Sequence, residues 1–239
     1  MLAAGEGTRM KSDLPKVLHE TNGRPMLAWV LDAARGAGAT RQIVVAGFGA
    51  ERVEAAAAAP DVRFVRQRER LGTGHAVMQA RPLLEGFAGR LLVLAGDTPL
   101  LESHTLGQLV AHHHARGAAA TILSARFPDP TGYGRILRSP RGDVVAIREE
   151  LDASPGEKAI DEINTGAYCF EAPDLLEALG GLRADNAKGE YYLTDTIAIL
   201  IGAGRRVEAV IAEDHRETLG VNTPAALAEA DALLRGRRA

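Results

Sequence analysis

The sequence predicts an α/β fold in which a mainly parallel sheet is covered by helices. Strand-like and helix-like segments alternate over most of the 239 residues, which is the pattern of such a sheet. Hydrophobic residues make up 46% of the chain, enough to fill a large core. The alternation is interrupted from about residue 128 to 163, where two short strands indicate a small inserted antiparallel hairpin.

The elements of the first half follow from apolar runs and from their stop signals. A short run at 1–4 predicts a first strand that ends at a glycine-rich loop. Pro25 opens a helix over 25–37, and Gly38 stops it. The other elements predicted in this half are strands at 43–46, 62–65 and 91–95, helices at 74–84 and 103–116, and a helix around the alanines at 55–59.

The second half begins with a predicted strand at 118–125. Two short strands, at 133–137 and 144–147, flank Ser139-Pro140-Arg141-Gly142 and predict the hairpin. A polar loop is expected at 152–158. The remaining predicted elements are a strand at 164–170, a helix at 173–179, a strand at 207–211 and a helix at 224–234.

Composition and charge exclude several classes of function. Aromatic residues are 4% of the chain, too few for a stacking surface that binds nucleic acid. The net charge of −3 excludes a generally basic protein, so local groups must bind any anionic ligand. No apolar stretch approaches the ~18 residues of a membrane span. Cys169 is the only cysteine and lies in an apolar run, which predicts a core position and a reducing cytoplasm.

The loop Gly5-Glu6-Gly7-Thr8-Arg9-Met10 indicates a site for phosphate. Glycines let backbone N–H groups approach an anion, and Arg9 offers a planar fork of donors. Lys16 adds a mobile charge, in a chain whose only lysines are at 11, 16, 158 and 188. The loop has neither the Walker pattern nor the third glycine of the dinucleotide fingerprint. We therefore expect a nucleoside triphosphate whose phosphates are the reacting atoms.

A carboxylate follows the predicted strand 91–95, in Gly96-Asp97-Thr98. Ligands of open α/β sheets bind at this end of a strand, and Asp97 is a hard oxygen ligand for Mg²⁺. Gln67 follows another strand, and its amide can pair with a base edge beside Gly72-Thr73. Gln67 is equally consistent with a surface loop, whereas a capping role is the less favoured alternative for Asp97.

Other polar groups are ambiguous from the sequence alone. Glu149, Asn164 and Asn222 lie in predicted loops or strand ends, where turn or cap roles are common. His112-His113-His114 is not expected to bind metal, because consecutive helical residues point about 100° apart. We interpret these histidines as part of a solvated helix surface.

Together these motifs resemble the uridylyltransferase domain of bacterial bifunctional N-acetylglucosamine-1-phosphate uridyltransferase/glucosamine-1-phosphate acetyltransferases. The resemblance covers nearly the whole chain. Its most specific strings are Leu14-Pro15-Lys16-Val17-Leu18-His19 and Gly189-Glu190-Tyr191-Tyr192-Leu193-Thr194-Asp195. It implies a Rossmann-like sheet of the sugar-nucleotide transferase type, in one domain over 1–239. That domain would have a nucleotide-binding half (1–127), a sugar-phosphate-binding half (128–222) and a C-terminal helix (223–239).

The resemblance also implies roles for individual residues. Arg9 and Lys16 would be catalytic and hold the phosphates, while Asp97 and Asn222 would bind Mg²⁺. The nucleotide-binding residues would be Leu2, Ala3, Ala4, Gly5, Gln67, Gly72, Thr73, Gly96 and Asp97. The residues that bind the sugar phosphate would be Gly134, Glu149, Asn164, Asn222, Tyr192 and Thr194, with Tyr192 and Thr194 near its acetyl group.

The implied reaction joins UTP and N-acetylglucosamine 1-phosphate into UDP-N-acetylglucosamine and releases pyrophosphate. The same chemistry on glucose 1-phosphate with UTP or dTTP, or a non-catalytic sugar-nucleotide sensor, are alternatives. Glu6 departs from the lysine frequent in the family, and Ala95 from an aromatic residue. The sequence contains no acetyltransferase half, so we expect a monomer, with trimers only where that half is present.

Overall fold

A computed structural model describes residues 1–238, which form two compact units. The first unit comprises residues 1–70, 94–107 and the chain from Arg216 onward. The second unit comprises residues 71–93 and 108–215. Each unit therefore combines segments that are distant in the sequence.

The strands of residues 1–238 are short, apart from one of ten residues. In chain order they are β1 (Leu2–Ala3), β2 (Glu20–Thr21), β3 (Arg24–Pro25), β4 (Gln42–Ala46), β5 (Val62–Arg66), β6 (Arg90–Val93), β7 (Ala120–Arg126), β8 (Arg135–Arg138), β9 (Val144–Arg148), β10 (Glu162–Glu171) and β11 (Val207–Ile211).

The α-helices alternate with these strands. They are α1 (Met26–Gly36), α2 (Ala50–Ala57), α3 (Thr73–Met78), α4 (Arg81–Leu84), α5 (Ser103–Arg116), α6 (Pro155–Lys158), α7 (Ala172–Leu179), α8 (Asp195–Gly202) and α9 (Pro224–Arg238). Short 3₁₀ helices cover Thr8–Met10, Lys16–Leu18 and His215–Thr218. None of the helices is long and apolar enough to cross a membrane within the described part of the chain.

The first unit contains a parallel sheet in the order β1-β4-β5. Leu2 pairs with Val45 on one side and forms a parallel bridge to Ala95 on the other. Apolar residues of β4, α1 and α2, such as Val44, Leu31 and Val53, pack into one core. Because parallel strands end at the same edge, the residues that follow β1 and β5 lie along one edge of this sheet.

The second unit contains a mixed sheet in the order β11-β7-β10-β8-β9, with β6 also paired to β10. The predicted hairpin is confirmed as β8–β9, and β11 runs parallel to β7. The antiparallel part is larger than the hairpin alone, since β10 is antiparallel to β6, β7 and β8. Cys169 in β10 is fully buried, as predicted. The α/β fold class is confirmed.

Two predicted segments need correction, and one helix was missed. The helix expected at 74–84 is divided into α3 and α4, because Pro82 has no N–H to continue the hydrogen-bond ladder. The loop expected at 152–158 contains α6, which Ser154 and Glu157 cap reciprocally. Helix α8 was not predicted, because its nearly continuous apolar run has no clear period.

The histidine cluster is also different from the prediction. His112 and His114 are partly or well exposed, but His113 is completely buried. Its Nδ1 lies 2.9 Å from the Thr121 hydroxyl, and its Nε2 lies 3.3 Å from a carboxylate oxygen of Glu171. Burial lowers the pKa of His113. The middle histidine therefore belongs to the packing between α5 and the sheet.

Candidate active site

The glycine-rich loop of the first unit follows β1 and passes directly over the side chain of Lys16. Gly7 has a φ of 70°, and a Cβ at this position would lie 2.6 Å from Lys16 Cβ. Only glycine satisfies both the left-handed backbone and this close approach. The loop and Lys16 are therefore fitted to each other, as the phosphate-site prediction requires.

The Lys16 ammonium joins two residues from distant parts of the sequence. Its Nζ donates to Asp97 Oδ2 in a short ion pair and to Asn222 Oδ1 at 2.9 Å. A hydrogen bond reaches about 3 Å, so the two oxygens are at most roughly 6 Å apart. The Lys16 and Asp97 side chains are 16% and 14% exposed, which screens this pair from water.

Backbone hydrogen bonds place both oxygen donors. Gly96 N–H donates to Leu2 O at 2.9 Å, which fixes the start of the Asp97 segment beside β1. Val221 N–H donates to Asp97 O at 2.9 Å, and this bond brings Asn222 to the carboxylate. Asp97 and Asn222 therefore converge because their main chains are bonded, in addition to their shared contact with Lys16.

The other predicted residues of the first unit lie around this group. Ala3 and Ala4 are buried, whereas Gly5 and Arg9 are exposed. Gln67 follows β5 and is 6% exposed, with its N–H donating to Ala46 O at 2.8 Å. Leu2 is half-buried in β1.

Glu6, the residue that departs from the resembled family, forms an ion pair with Arg70. The pair lies within the first unit and is largely exposed on the Arg70 side. The sequence analysis did not predict this partner. Arg70 offsets the negative charge that Glu6 adds to the phosphate loop.

In the second unit, the segment at 71–74 is bonded to the segment at 191–193. Tyr191 N–H donates to Leu71 O at 2.8 Å, and Gly74 N–H donates to Tyr191 O at 2.7 Å. A Cβ on Gly72 would lie 2.6 Å from Tyr191 O, which requires glycine there. The Thr73 hydroxyl accepts from Leu193 N–H at 3.0 Å. Two motifs that the sequence separates by over a hundred residues are thus adjacent.

Glu149 and Thr194, both predicted to bind the sugar, are bonded to each other. The Thr194 hydroxyl donates to Glu149 Oε1 at 3.0 Å. Burial raises the pKa of the Glu149 carboxyl, while the Thr194 hydrogen bond opposes that shift. The Thr194 bond uses one carboxylate oxygen of Glu149, and carboxylates are strong acceptors for ligand hydroxyl or amide groups.

Gly134 and Asn164 form the second predicted sugar-binding pair. Asn164 N–H donates to Gly134 O at 2.8 Å. The register of β10 against β7 shifts between Asn164 and Ala167, so this part of β10 is a bulge. Bulges re-aim side chains, and Asn164 at this bulge is half-buried.

Tyr192, predicted to contact the acetyl group, lines a cavity of about 330 Å³ in the second unit. Glu149, Asp152 and Asp195 line the same cavity. Tyr192 is 6% exposed, and burial followed by the negative charge of Asp152 raises its pKa to about 12. Burial also raises the pKa of Asp195, with a further contribution from Asp152. Tyr192 therefore lies in a buried position near several carboxylates, in a cavity that Arg148 and Arg183 also line.

The sequence profile of MobA-like NTP transferase domains matches residues 1–186. This is more than three quarters of the chain, and it includes the glycine-rich loop, Lys16 and Asp97. The chain belongs to the MobA-like NTP transferase domain family. The chain is therefore a nucleotidyltransferase domain.

Curated relatives of this NTP transferase domain are similar over almost all of its length. "Bifunctional protein GlmU" of Pelotomaculum thermopropionicum is 54% identical over 237 residues, which are 99% of this chain and 52% of the relative. The protein of the same name from Pelobacter propionicus is 51% identical over 238 residues, 99% of this chain and 52% of the relative. The chain spans about half the length of the curated relatives it matches.

A solved structure shows the same fold at low sequence identity. The structure titled as UDP-glucose pyrophosphorylase complexed with UDP-glucose has a TM-score of 0.79 to this chain. It is 17% identical, and the match covers 99% of this chain and 97% of that one. This likeness shows that the NTP transferase domain has the fold of a sugar nucleotidyltransferase.

The donor set of this domain suits a hard divalent cation. One carboxylate oxygen and one amide oxygen already converge on a single cationic nitrogen, so a cation fits between Asp97 and Asn222. Among the described residues, no group of three or more His, Cys, Asp or Glu side chains could hold a metal. A metal here would depend on ligand phosphates for the rest of its coordination, as Mg²⁺ usually does.

Proposed function

We propose that this chain joins UTP and N-acetyl-α-D-glucosamine 1-phosphate to form UDP-N-acetylglucosamine and pyrophosphate. The observation that carries the proposal is the Lys16 ammonium held between Asp97 and Asn222 under a glycine-rich loop. The relatives that are about 50% identical over 99% of the chain support the choice of substrates. We place the reaction in the cytoplasm.

The step is a direct transfer of a nucleotidyl group. A phosphate oxygen of the sugar phosphate bonds to the α-phosphorus of UTP, and the bond from that phosphorus to the bridging oxygen breaks. Pyrophosphate leaves with the bonding electron pair. No residue forms a covalent intermediate, so the protein contributes positioning and stabilisation of charge.

The first unit would hold the phosphates. Arg9 is exposed on the 3₁₀ turn of the loop and offers its guanidinium to phosphate oxygens. Lys16 would turn from Asp97 toward the phosphates, a small movement for a flexible side chain. Asp97 and Asn222 would hold Mg²⁺, which when bound neutralises part of the phosphate charge.

The nucleoside would be bound by main chain and by small residues. The segment Leu2–Gly5 and Gly96 offer backbone groups at the edge of the first unit's sheet. Gln67 would pair with the uracil edge.

The second unit would bind the sugar phosphate. Glu149 and Asn164 supply an acceptor and an amide. Gly134 allows close packing beside them, since a Cβ there would lie 3.1 Å from Ile147 Cγ2 and 3.6 Å from Asn164 Cβ. Tyr192 and Thr194 would favour a substrate that carries an N-acetyl group.

A Mg²⁺-dependent assay of pyrophosphate release tests the proposal. Each of UTP and dTTP is combined with each of N-acetylglucosamine 1-phosphate and glucose 1-phosphate. We expect the highest kcat/KM for UTP with the N-acetyl sugar. Preference for glucose 1-phosphate would assign the chain to the other sugar. Nucleotide binding without pyrophosphate release in any combination would indicate a sensor and contradict the proposal.

A further inference from the structure

The hydroxyl of Tyr168 lies beside the predicted sugar-binding residues, and neither the sequence analysis nor the proposed mechanism uses it. Tyr168 is on β10, which is flanked by β6 and β7, and it is 3% exposed. Its ring lies 5.5 Å from that of Phe170, so apolar packing accounts for the ring. Packing does not account for the hydroxyl, because a phenylalanine at this position would keep the same ring contacts without it.

The Tyr168 hydroxyl accepts a hydrogen bond from Asn164 Nδ2 at 2.8 Å. On the other side of the amide, Asn164 Oδ1 accepts from Gly166 N–H at 3.3 Å. A backbone N–H can only donate, so the atom that faces Gly166 must be the oxygen. Nδ2 must then face Tyr168, and the orientation of the Asn164 amide is fixed.

The bulge of β10 makes this arrangement possible. Thr165 and Gly166 are the extra residues of the bulge, and the Thr165 hydroxyl donates to Leu123 O at 2.6 Å. Gly166 has a φ of 81°, which favours glycine. The bulge thus folds Asn164 back over its own strand, where the hydroxyl four residues later can reach it.

The protonation state of the Tyr168 hydroxyl suits this hydrogen bond. Burial, followed by the negative charge of Glu149, raises the pKa of the Tyr168 hydroxyl, which therefore keeps its proton. A protonated hydroxyl bonded to Asn164 acts directly on one of the side chains that would bind the sugar.

We propose that Tyr168 is a positioning residue that fixes the Asn164 amide for the sugar phosphate. The proposal rests on the proposed function, because the sugar phosphate is its ligand. With one N–H bound to Tyr168 and one lone pair bound to Gly166, the amide presents its other N–H and its other lone pair to the ligand. Without the hydroxyl, only the 3.3 Å bond from Gly166 N–H would hold the amide, which could then rotate away from this orientation more easily.

The test compares Tyr168→Phe, Asn164→Ala and the double variant in the pyrophosphate-release assay. Loss of one hydrogen bond of ordinary strength predicts a rise of about fivefold in KM for the sugar phosphate in Tyr168→Phe. The KM for UTP and kcat should stay close to wild type. If Tyr168 acts through Asn164, the double variant should have the KM of Asn164→Ala alone.

Thr121→Val is the matched control for removal of a buried hydroxyl. Thr121 lies on the neighbouring strand β7, is fully buried, and bonds to His113 rather than to a predicted site residue. We expect it to lower Tm without changing KM. An equal rise of KM in Thr121→Val would show a general loss of packing and overturn the positioning role.

The outcomes separate this inference from the proposed function. Whether the wild-type protein releases pyrophosphate with the sugar phosphate decides the proposed function. Given turnover, an unchanged KM in Tyr168→Phe, or a double variant that multiplies the two single effects, overturns the positioning role. A further readout needs no turnover and no variant: by NMR, one Asn164 Nδ2 proton of the wild type should exchange with solvent more slowly than the other. Equal, rapid exchange of both protons would also overturn it.

Discussion

The two units hold their predicted site residues in different ways. In the first unit the groups are charged and bonded to each other, with Lys16 held by Asp97 and Asn222. In the second unit the carboxylate of Glu149 is bonded to a neutral donor, the Thr194 hydroxyl. Ligands of the first unit must replace an internal ion pair, whereas ligands of the second unit meet groups that are already oriented. Substitutions in the first unit should therefore change turnover, and those in the second should change affinity and selectivity.

The largest expected effect comes from the charge of Asp97. Asp97→Asn should lower kcat by about 10²–10³-fold, because it removes a charged ligand at the reacting phosphates. The dependence of the rate on Mg²⁺ should shift to higher concentrations. Asn222→Ala should lose less activity, since it removes no charge.

Asp61→Asn is the matched control for Asp97→Asn. Asp61 is also an ion-paired carboxylate of the first unit, bonded to Arg35 and to no predicted site residue. Its kcat should be unchanged. Equal losses of kcat in the two variants would show that breaking any ion pair of this unit lowers activity. The expected contrast between the two units would then be wrong.

A smaller effect is expected from Gly7, which tests the fit between the loop and Lys16. Gly7→Ala should lower kcat/KM about tenfold and also lower stability, because a Cβ there would displace Lys16. Gly23 has a similar φ of 72° but no atom within 4 Å of an added Cβ. Gly23→Ala should therefore lower stability by the left-handed strain alone, about 1–2 kcal/mol. If Gly7→Ala kept full activity, as Gly23→Ala should, the account would be contradicted.

In the second unit, Thr194→Val tests selectivity. The variant keeps the size of the side chain and removes the hydroxyl that bonds to Glu149. We expect the ratio of kcat/KM for the N-acetyl sugar over glucose 1-phosphate to fall about fivefold, the value of one hydrogen bond. The measurement is initial rates of pyrophosphate release with each sugar phosphate. An unchanged ratio would remove Thr194 from the specificity site.

The smallest effect concerns stability and pH. Burial raises the pKa of Asp195, so the folded state holds this proton more tightly than the unfolded state. The stability from protonated Asp195 is fully present below its unfolded pKa of 3.8 and is lost as the pH rises through the raised value. At pH 7 the ionised group destabilises the fold, and Asp195→Asn should raise Tm by about 1–3 °C. The gain should disappear near pH 4.

Asp61 gives the opposite sign and serves as the comparison for Asp195. The Arg35 hydrogen bond lowers the pKa of Asp61 to about 2. Its stabilisation is present above the unfolded pKa of 3.8 and is lost as the pH falls through about 2. Asp61→Asn should therefore lower Tm at pH 7, as thermal melts across the pH range can show. The same direction of change in both variants would contradict these assignments.

Much of the fold was predictable, because apolar runs and stop signals are local. Helix α5 and strand β11 occur where the sequence predicts them. The pairing of β10 with three other strands was not predictable, since it depends on contacts between distant segments. The burial of His113 is a case of the same kind, because only the packed sheet supplies Thr121 and Glu171.

In the candidate site, too, some features were predictable from the sequence and others were not. Asp97 and Asn222 converge because Val221 N–H donates to Asp97 O, and the family resemblance of the sequence suggested that they share a site. The internal ion pair with Lys16 and the bond from Asn164 to Tyr168 had no sequence signal. Both depend on side-chain placement within a few ångströms, which a bulge or a short 3₁₀ turn decides. The assigned roles of these residues remain predictions.

The most direct test of the central claim is a double-mutant cycle on Lys16 and Asp97 in the Mg²⁺-dependent pyrophosphate-release assay. The claim is that these two groups form one charge-balanced unit that receives the phosphates of UTP. Lys16→Ala and Asp97→Asn should each lower kcat by about 10²–10³-fold. The kcat of the double variant should be no lower than that of the less active single variant. Multiplied losses in the double variant, or near-normal kcat/KM in either single variant, would contradict the account.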